Sequence, residues 1–564
     1  MLSVLVSWII IAGICLILGY GMIHYGYRHA EKNYLDQWDV YLVCGLMMVN
    51  IYAEVFSIFY KVGAKACLGL MIIGIVLVMT YCFKNRGGRK NVFCRPGLSI
   101  YQWIVVLFVC ICMLVYTVGK PVHYDTMLYH FQAIKWIEEY GVVPGLGNLH
   151  NRFAYNSAFM PLQALFSLDW LVGQPLHTVN GFVAGVFLIY AIITNQLWNG
   201  KIRLSDLFKV MTGIYVCYTS GLISSPSSDI LPMLMILYIC TKWCELIESD
   251  VMDSSMYGFL CILGVYTITL KLSAAVCVIL AIWPAIKLIQ EKKWKEIVLH
   301  IVGGLVIVIP WLARNVIISG YLLYPYPQID LFNVDWKMPA SVLEYDSREI
   351  IAWGRDIFSV EKKEALWEWV PHWFDHSMRT LIVLGFVCGI IWLAMFVNRI
   401  IKKKTDMRQD ILGIYGILAL LSWFFSAPLI RYGMVYLLIP ICLCAQYCLN
   451  MRKGKLLIKA AIMVVLIPVG VSYLGSIQSL QYQSLIMQDD YEWNLTEEME
   501  LAPGVKVWIP AEGDQCSADV FPCVPYRKMV ERVELRGTTL KDGFRIKPEY
   551  CSLHLNAYGD EWTE

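Results

Sequence analysis

Charge is what this sequence has least of. Only 16% of its 564 residues are Asp, Glu, Lys or Arg, while 58% are hydrophobic, against about 25% charge in an ordinary globular domain. With a mean hydropathy of +0.56, water is excluded as its main solvent. The chain also lacks a phosphate-binding loop, a nucleotide-binding Gly motif, zinc-ligand spacing, internal repeats and low-complexity tracts, and no nucleic-acid partner is expected. Before "GMIHYGYRHA" there is neither a basic n-region nor a small-residue cleavage site, so the first 22 residues read as a span rather than a signal peptide.

What is there is a recurrence of apolar stretches of about 20 residues, the length that crosses a bilayer. They predict an all-α polytopic membrane protein of about fourteen transmembrane helices, over roughly 2–22, 40–60, 65–83, 101–118, 178–196, 208–223, 230–246, 257–271, 274–290, 298–315, 380–398, 411–427, 432–449 and 456–474. Lys and Arg concentrate in cytoplasmic loops. The clusters at Lys84, Arg86, Arg89, Lys90 and Arg95, at Lys201, Arg203 and Lys209, at Lys292, Lys293 and Lys295, at Lys402, Lys403, Lys404 and Arg408, and at Arg452, Lys453 and Lys455 are therefore placed inside. Both termini then fall outside. Counting the apolar segment 157–173 as a span would put Lys201 outside, so it is expected to lie on or dip into the outer surface.

The chain divides into additional N-terminal spans (1–100), a transmembrane core (101–475) with outer loops at 118–177 and 316–378, and an extracytoplasmic C-terminal domain (476–564), α/β or β-rich, with "VKVWIP" and "RVELRG" as strands. Loops this long carry more than a connection. The first opens on "HYDTMLYHFQAIKWIEEYG", an amphipathic surface helix with Met127, Phe131, Ile134 and Ile137 on one face and Asp125, Tyr129 and Gln132 on another. The second, rich in Trp and acids, forms a short helical cap. Of 19 cysteines, most lie in predicted spans, where a thiol is a small apolar group. Cys516, Cys523 and Cys551 lie in the polar tail; outside the cytoplasm Cys516 and Cys523 can bridge, and in a reducing compartment they are free thiols.

Ionisable groups near a bilayer are costly and point to function. Asp125, Asp229 at the end of "SSPSSD", Lys271 in "TLKLSA", Arg314 beside Asn315 in "PWLARN", and Arg431 in "APLIRY" all fall at outer ends of spans in this topology. Plain alternatives exist: Arg314 and Arg431 can snorkel to headgroups, and Asp125 and Asp229 can cap helices. Lys271 is harder to dismiss, because it splits an apolar stretch running from about Phe259 to Ile282. Glu54, inside the second span, pairs with a neighbouring helix or faces a cleft. Three cations suit a phosphate or diphosphate headgroup, and a nearby acid suits a base that deprotonates a hydroxyl.

The order of these strings, from "HYDTMLYH" through "SSPSSD", "KLS" and "PWLARNVIISGYLLYP" to "APLIRYG", resembles the GT-C superfamily of membrane glycosyltransferases, over about residues 100–475. The long loop and "GDQCSADVFPCVPY" look like a bacterial branch of it. The resemblance implies a multi-pass protein of the bacterial cytoplasmic membrane, its active site facing out, that moves a sugar from a polyprenyl-phosphate donor to a glycan or lipid acceptor hydroxyl with inversion. By it, Asp125 is the base; Lys271, Arg314, Arg431 and Tyr432 hold the donor phosphate; and His123, Tyr129, His130, Arg152, Asp229 and Asn315 position substrate. Thr126 stands where much of the superfamily has a second acid, so no cofactor carries over with certainty and a divalent metal stays an open alternative. Two other readings compete: a surface-polysaccharide polymerase or ligase, and a lipid-linked glycan flippase or transporter, which usually shows a repeated half.

Overall fold

Inside hydrocarbon every backbone N–H and C=O must find a partner within the chain, so apolar stretches become helices. The computed structural model describes residues 1–26, 32–84, 98–197, 203–251, 253–360, 364–448, 475, 477, 483–491 and 493–562. Within them every expected span coincides with helix; the one expected over 456–474, with Arg86, Arg89, Lys90, Arg95, Lys201, Arg452, Lys453 and Lys455, lies outside the described residues. Among the described residues seven helices are long and apolar enough to cross a membrane: Leu2–Gly26, Trp38–Phe59, Ile100–Val118, Ile230–Glu248, Leu272–Gln290, Trp294–Ser319 and Arg379–Ile401. Shorter apolar helices, among them Val179–Ile193 and Ser254–Leu270, pack between them. The protein is therefore a mostly helical membrane protein with a small C-terminal strand region.

Trp294–Ser319 shows the environment plainly. It leaves Val298, Leu299, Ile301, Val302, Leu305, Val306 and Ile309 exposed, an apolar stripe that only lipid accommodates over such a length. At its far end Trp311, Arg314 and Asn315 turn inward. Leu2–Gly26 and Trp38–Phe59 cross at bare glycines: a Cβ on Gly19 would strike the Tyr41 carbonyl, and one on Gly45 the Cys15 carbonyl. Small residues let backbones approach this closely in membranes.

The Met1 amine donates to Ser484 O at 2.5 Å, and Asp489 N donates to Val118 O at 2.8 Å. The first residue and the start of the C-terminal region thus meet at the end of the bundle from which the loop 118–177 leaves. In that loop 157–173 contains only the short helices Phe159–Phe166 and Asp169–Val172, too short to cross.

The surface helix differs from expectation. It begins as a π-turn, Thr126–His130, and continues as Phe131–Glu139, with Tyr129 and Gln132 as buried as the apolar face. The cause is the C-terminal region, which lies over it. There Thr496–Ala502 pairs antiparallel with Val505–Pro510, and Val533–Leu535 with Phe544–Ile546. Leu128, Trp136, Leu149, Val342, Val507 and Phe544 share one core, so the loop 118–177, the cap helix Ala340–Gly354 and the C-terminal region form a single layer at one end of the helices. Cys516 and Cys523 are disulfide-bonded. The loop they close is held by Gln132, whose Nε2 donates to Ser517 O (3.2 Å) and Val520 O (3.1 Å) and whose Oε1 accepts from Cys523 N (3.0 Å).

Candidate functional site

Asp229 precedes Ile230–Glu248 and Lys271 follows Ser254–Leu270, so two consecutive helices bring their ends together. There the Lys271 ammonium pairs with the Asp229 carboxylate. Lys271 is in extended conformation (φ −153°, ψ 120°) between that helix and the 3₁₀ segment Leu272–Ala281, which is the break expected at "KLS". Its ammonium also lies 3.7 Å from the centre of the Tyr432 ring, a cation–π contact.

Arg431, in the first turn of Ile430–Cys448, joins this pair to the loop 118–177. Its guanidinium is 3.3 Å from the Asp125 carboxylate and 3.0 Å from His123 Nε2, and it donates to the Tyr432 hydroxyl at 2.8 Å. The loop is pinned from below: Ser225 Oγ accepts from the amides of Val122 and His123, both at 3.1 Å, while Asn180 Nδ2 donates to Ser225 O (2.9 Å) and Ser227 O (2.8 Å). Neither Asp125 nor Asp229 caps its helix through its side chain, so the capping alternative does not account for them. Both carboxylates are spent on cations instead.

The side chains of Asp125 and Asp229 are each 15% exposed, Lys271 19% and Arg431 31%. They are desolvated enough to act strongly on one another yet open on one side. Burial would raise the Asp229 carboxyl, but the Lys271 and Arg431 charges outweigh it and hold it below its ordinary value. Burial lowers the His123 imidazole, and takes His130 to about 3. Both histidines are therefore neutral near pH 7. The His130 ring lies 4.3 Å from that of Tyr129.

Arg314 stands apart from this cluster. Its guanidinium donates to Asn156 Oδ1 at 2.9 Å and to Ser57 Oγ. Asn156, at φ 43° in the left-handed region that Asn tolerates, also donates to Trp311 O (3.1 Å) and Asn315 Oδ1 (2.7 Å). Asn315 is thereby consumed in bracing the turn, donating in addition to Leu322 O at 3.0 Å. Arg152 is likewise elsewhere, 3.6 Å from Glu349 on the cap helix. Beside it Asp346 accepts from Asn151 Nδ2 (2.6 Å) and the Tyr155 hydroxyl (3.1 Å), and burial, then the neighbouring Glu349, pushes its carboxyl up to about 7. Glu349 accepts from the Tyr558 hydroxyl, and Asp514 accepts from Tyr124 at 2.5 Å.

Sequence reasoning missed Asn156, Asp346, Glu349 and Asp514. An Asn before Ser at the end of a short helical run was the one available signal, since such an Asn often adopts a left-handed turn. The residues present do not make a divalent-metal site: Asp125 and Asp229 each face a cation, and among the described residues no three His, Cys, Asp or Glu side chains converge.

No curated protein and no solved structure matches the chain. A family model described as a domain of unknown function, DUF8201, matches residues 1–438. That span takes in the first helices together with Asp125, Asp229, Lys271, Arg314, Arg431 and Tyr432, and leaves out the strand region that covers them. By this match over more than half its length, the chain belongs to the DUF8201 family.

Proposed function

We propose that the protein is a membrane glycosyltransferase that moves a sugar from a polyprenyl-phosphate donor to an acceptor hydroxyl at the outer face of a bacterial cytoplasmic membrane. The observation that carries this reading is the partly open group of Asp125, Arg431, Lys271 and Asp229 at one end of apolar helices, where a lipid-anchored headgroup arrives. Asp125 takes the proton of the acceptor hydroxyl as its oxygen bonds to the anomeric carbon. The bond from that carbon to the donor phosphate oxygen breaks, and its electron pair leaves with the polyprenyl phosphate. Lys271 and Arg431 offset the charge that develops on the phosphate, an electrostatic role of the kind that usually dominates catalysis, and Tyr432 donates beside them. Because each cation is matched by a carboxylate in the ligand-free arrangement, the donor phosphate binds by sharing Arg431 with Asp125. Arg314, bonded to Asn156 and Ser57, is left out of this assignment.

The test is a comparison of cell-surface glycans by mass spectrometry in a deletion strain carrying wild type or Asp125→Asn at matched membrane abundance. Wild type alone should restore a missing sugar, with transfer by Asp125→Asn lowered about 10²–10⁴-fold. Equal restoration by both would remove Asp125 as the base and bring the transporter reading forward.

A further inference from the structure

Two hydrogen-bond donors compete for the imidazole of His123. The Asp125 amide lies 3.1 Å from Nδ1, and Arg431 Nη1 lies 3.0 Å from Nε2. The ring is buried, and the loop that carries it is fixed by the His123 amide, which donates to Ser225 Oγ at 3.1 Å. A neutral imidazole has a proton on one nitrogen and a lone pair on the other, while the cation has a proton on both. The ring therefore accepts from one of its two donors and turns an N–H of its own against the other. A hydrogen bond from a charged donor is about twice as strong as a neutral one, so Arg431 takes Nε2 and the ring's proton sits on Nδ1, against the Asp125 amide. The Asp125 carboxylate, 3.9 Å from Nδ1, is too far away to accept that proton.

Arg431 is anchored through its other nitrogen: Nη2 lies 3.3 Å from the Asp125 carboxylate and donates to the Tyr432 hydroxyl at 2.8 Å. An oxyanion can thus draw Nη1 off His123 while Nη2 keeps both partners. With Nη1 gone, both demands on the ring are met: Nδ1 accepts from the Asp125 amide, and Nε2 carries the proton beside the anion that took Nη1. We propose that His123 is a ligand of the donor phosphate: as a phosphate oxygen draws Arg431 Nη1 away, the ring's proton passes from Nδ1 to Nε2 and Nε2–H donates to the phosphate. Solvent water takes the proton from Nδ1 and returns one to Nε2, so the ring stays neutral and no net proton is exchanged. Phosphate binding thereby gives the Asp125 amide its acceptor and orders the residue assigned as the base. The phosphate rests on the transferase reading; the competition for the ring rests on the geometry alone.

The experiment uses the full-length protein in nanodiscs, with a polyprenyl monophosphate as probe and the unphosphorylated polyprenol as control. Saturable thermal stabilisation reads affinity, and nitrogen NMR of histidine-labelled protein reads the tautomer, the His123 signals being those absent from His123→Asn. An Asn side chain places an oxygen where Nδ1 stands and drops the Nε2 donor; Gln places an amide N–H where Nε2 stands and drops the Nδ1 acceptor. His123→Asn should weaken polyprenyl phosphate about tenfold to a hundredfold, the loss of one hydrogen bond to a charged group, and His123→Gln should weaken it less. Wild type should carry the proton on Nδ1 alone and on Nε2 with the phosphate bound. A proton that stays on Nδ1 in the bound state, or His123→Asn binding like wild type, would overturn the assignment. So would His123→Gln binding more weakly than His123→Asn, the order expected of a ring that only braces the Asp125 amide. No saturable effect of polyprenyl phosphate, or an equal effect of polyprenol, would end the assignment together with the phosphate-donor reading. If binding depends on His123 as expected and Asp125→Asn still transfers sugar, the base assignment fails and the role of His123 stands.

Discussion

Arg431 stands 3.3 Å from the Asp125 carboxylate, so the helix Ile430–Cys448 and the start of the loop 118–177 meet in one ion pair. The same guanidinium reaches His123 and Tyr432, and the Tyr432 ring in turn carries Lys271. In sequence alone Asp125 reads as a helix cap and Arg431 as a snorkelling cation. Joined, they form one electrostatic unit in which moving any member shifts the others.

Arg431→Ala should lower transfer by about 10²–10³-fold, the cost of losing one well-placed donor to developing charge, and raise the apparent KM for the polyprenyl-phosphate donor. Arg431→Lys should recover only part of this, since an ammonium is a point charge without the fork. A donor titration of the purified variants with unchanged KM would remove Arg431 from the phosphate site.

For Lys271 and Asp229 the prediction is a thermodynamic cycle. Breaking a buried pair from one side leaves an uncompensated charge, so Lys271→Met and Asp229→Asn should each destabilise by about 3–5 kcal/mol. The double variant should regain much of that stability by thermal unfolding while staying inactive. Additive losses would mean that the two side chains do not act as a pair.

Acid should weaken one tie between the strand region and the helices. His177 bonds the Tyr491 hydroxyl at the foot of the strand region, and burial holds its imidazole at about 3 against an ordinary 6.5. An unfolded chain takes up the proton near 6.5, the folded one only near 3. The contribution of His177 is therefore complete above pH 6.5 and is lost as the pH falls from 6.5 toward 3, by at most about 1.4 kcal/mol per pH unit. His130, also held at about 3, acts in the same direction. Asp346 and Glu138, each raised by burial to about 7, act in the opposite direction over the same range, so the check is a difference: the melting temperature of wild type relative to His177→Phe should fall between pH 7 and pH 5, and a constant difference would clear His177 of the effect.

Gln132 makes three hydrogen bonds to the disulfide-closed loop and is completely buried. Gln132→Leu orphans two carbonyls and an amide at about 1–3 kcal/mol each. The segment beyond residue 493 should become cleavable by protease in intact vesicles, with transfer reduced because the same helix carries Asp125. Resistance equal to wild type would show that the shared core alone holds the layer.

Much of the architecture was legible because its causes are local. Apolar runs of the right length became helices, the chain broke at Lys271 where one span was too long, and "VKVWIP" became the strand Val505–Pro510. Partnership was not. Nothing in the loop sequence says that Gln132 will be covered, because its cover lies in a segment far along the chain, and nothing near Arg314 says that it will bond Asn156 and Ser57.

The sequence by itself determined that this is a helical membrane protein and roughly where its described helices run, since both follow from transfer energies and hydrogen bonding within a stretch of about 20 residues. Only the tertiary structure decided that Asp125 pairs with Arg431 and Asp229 with Lys271, that Arg152 turns to Glu349, and that Arg314 is left beside a cavity. Ion pairing depends on distance in space and on burial, and those are set by how the helices pack, which no local pattern encodes.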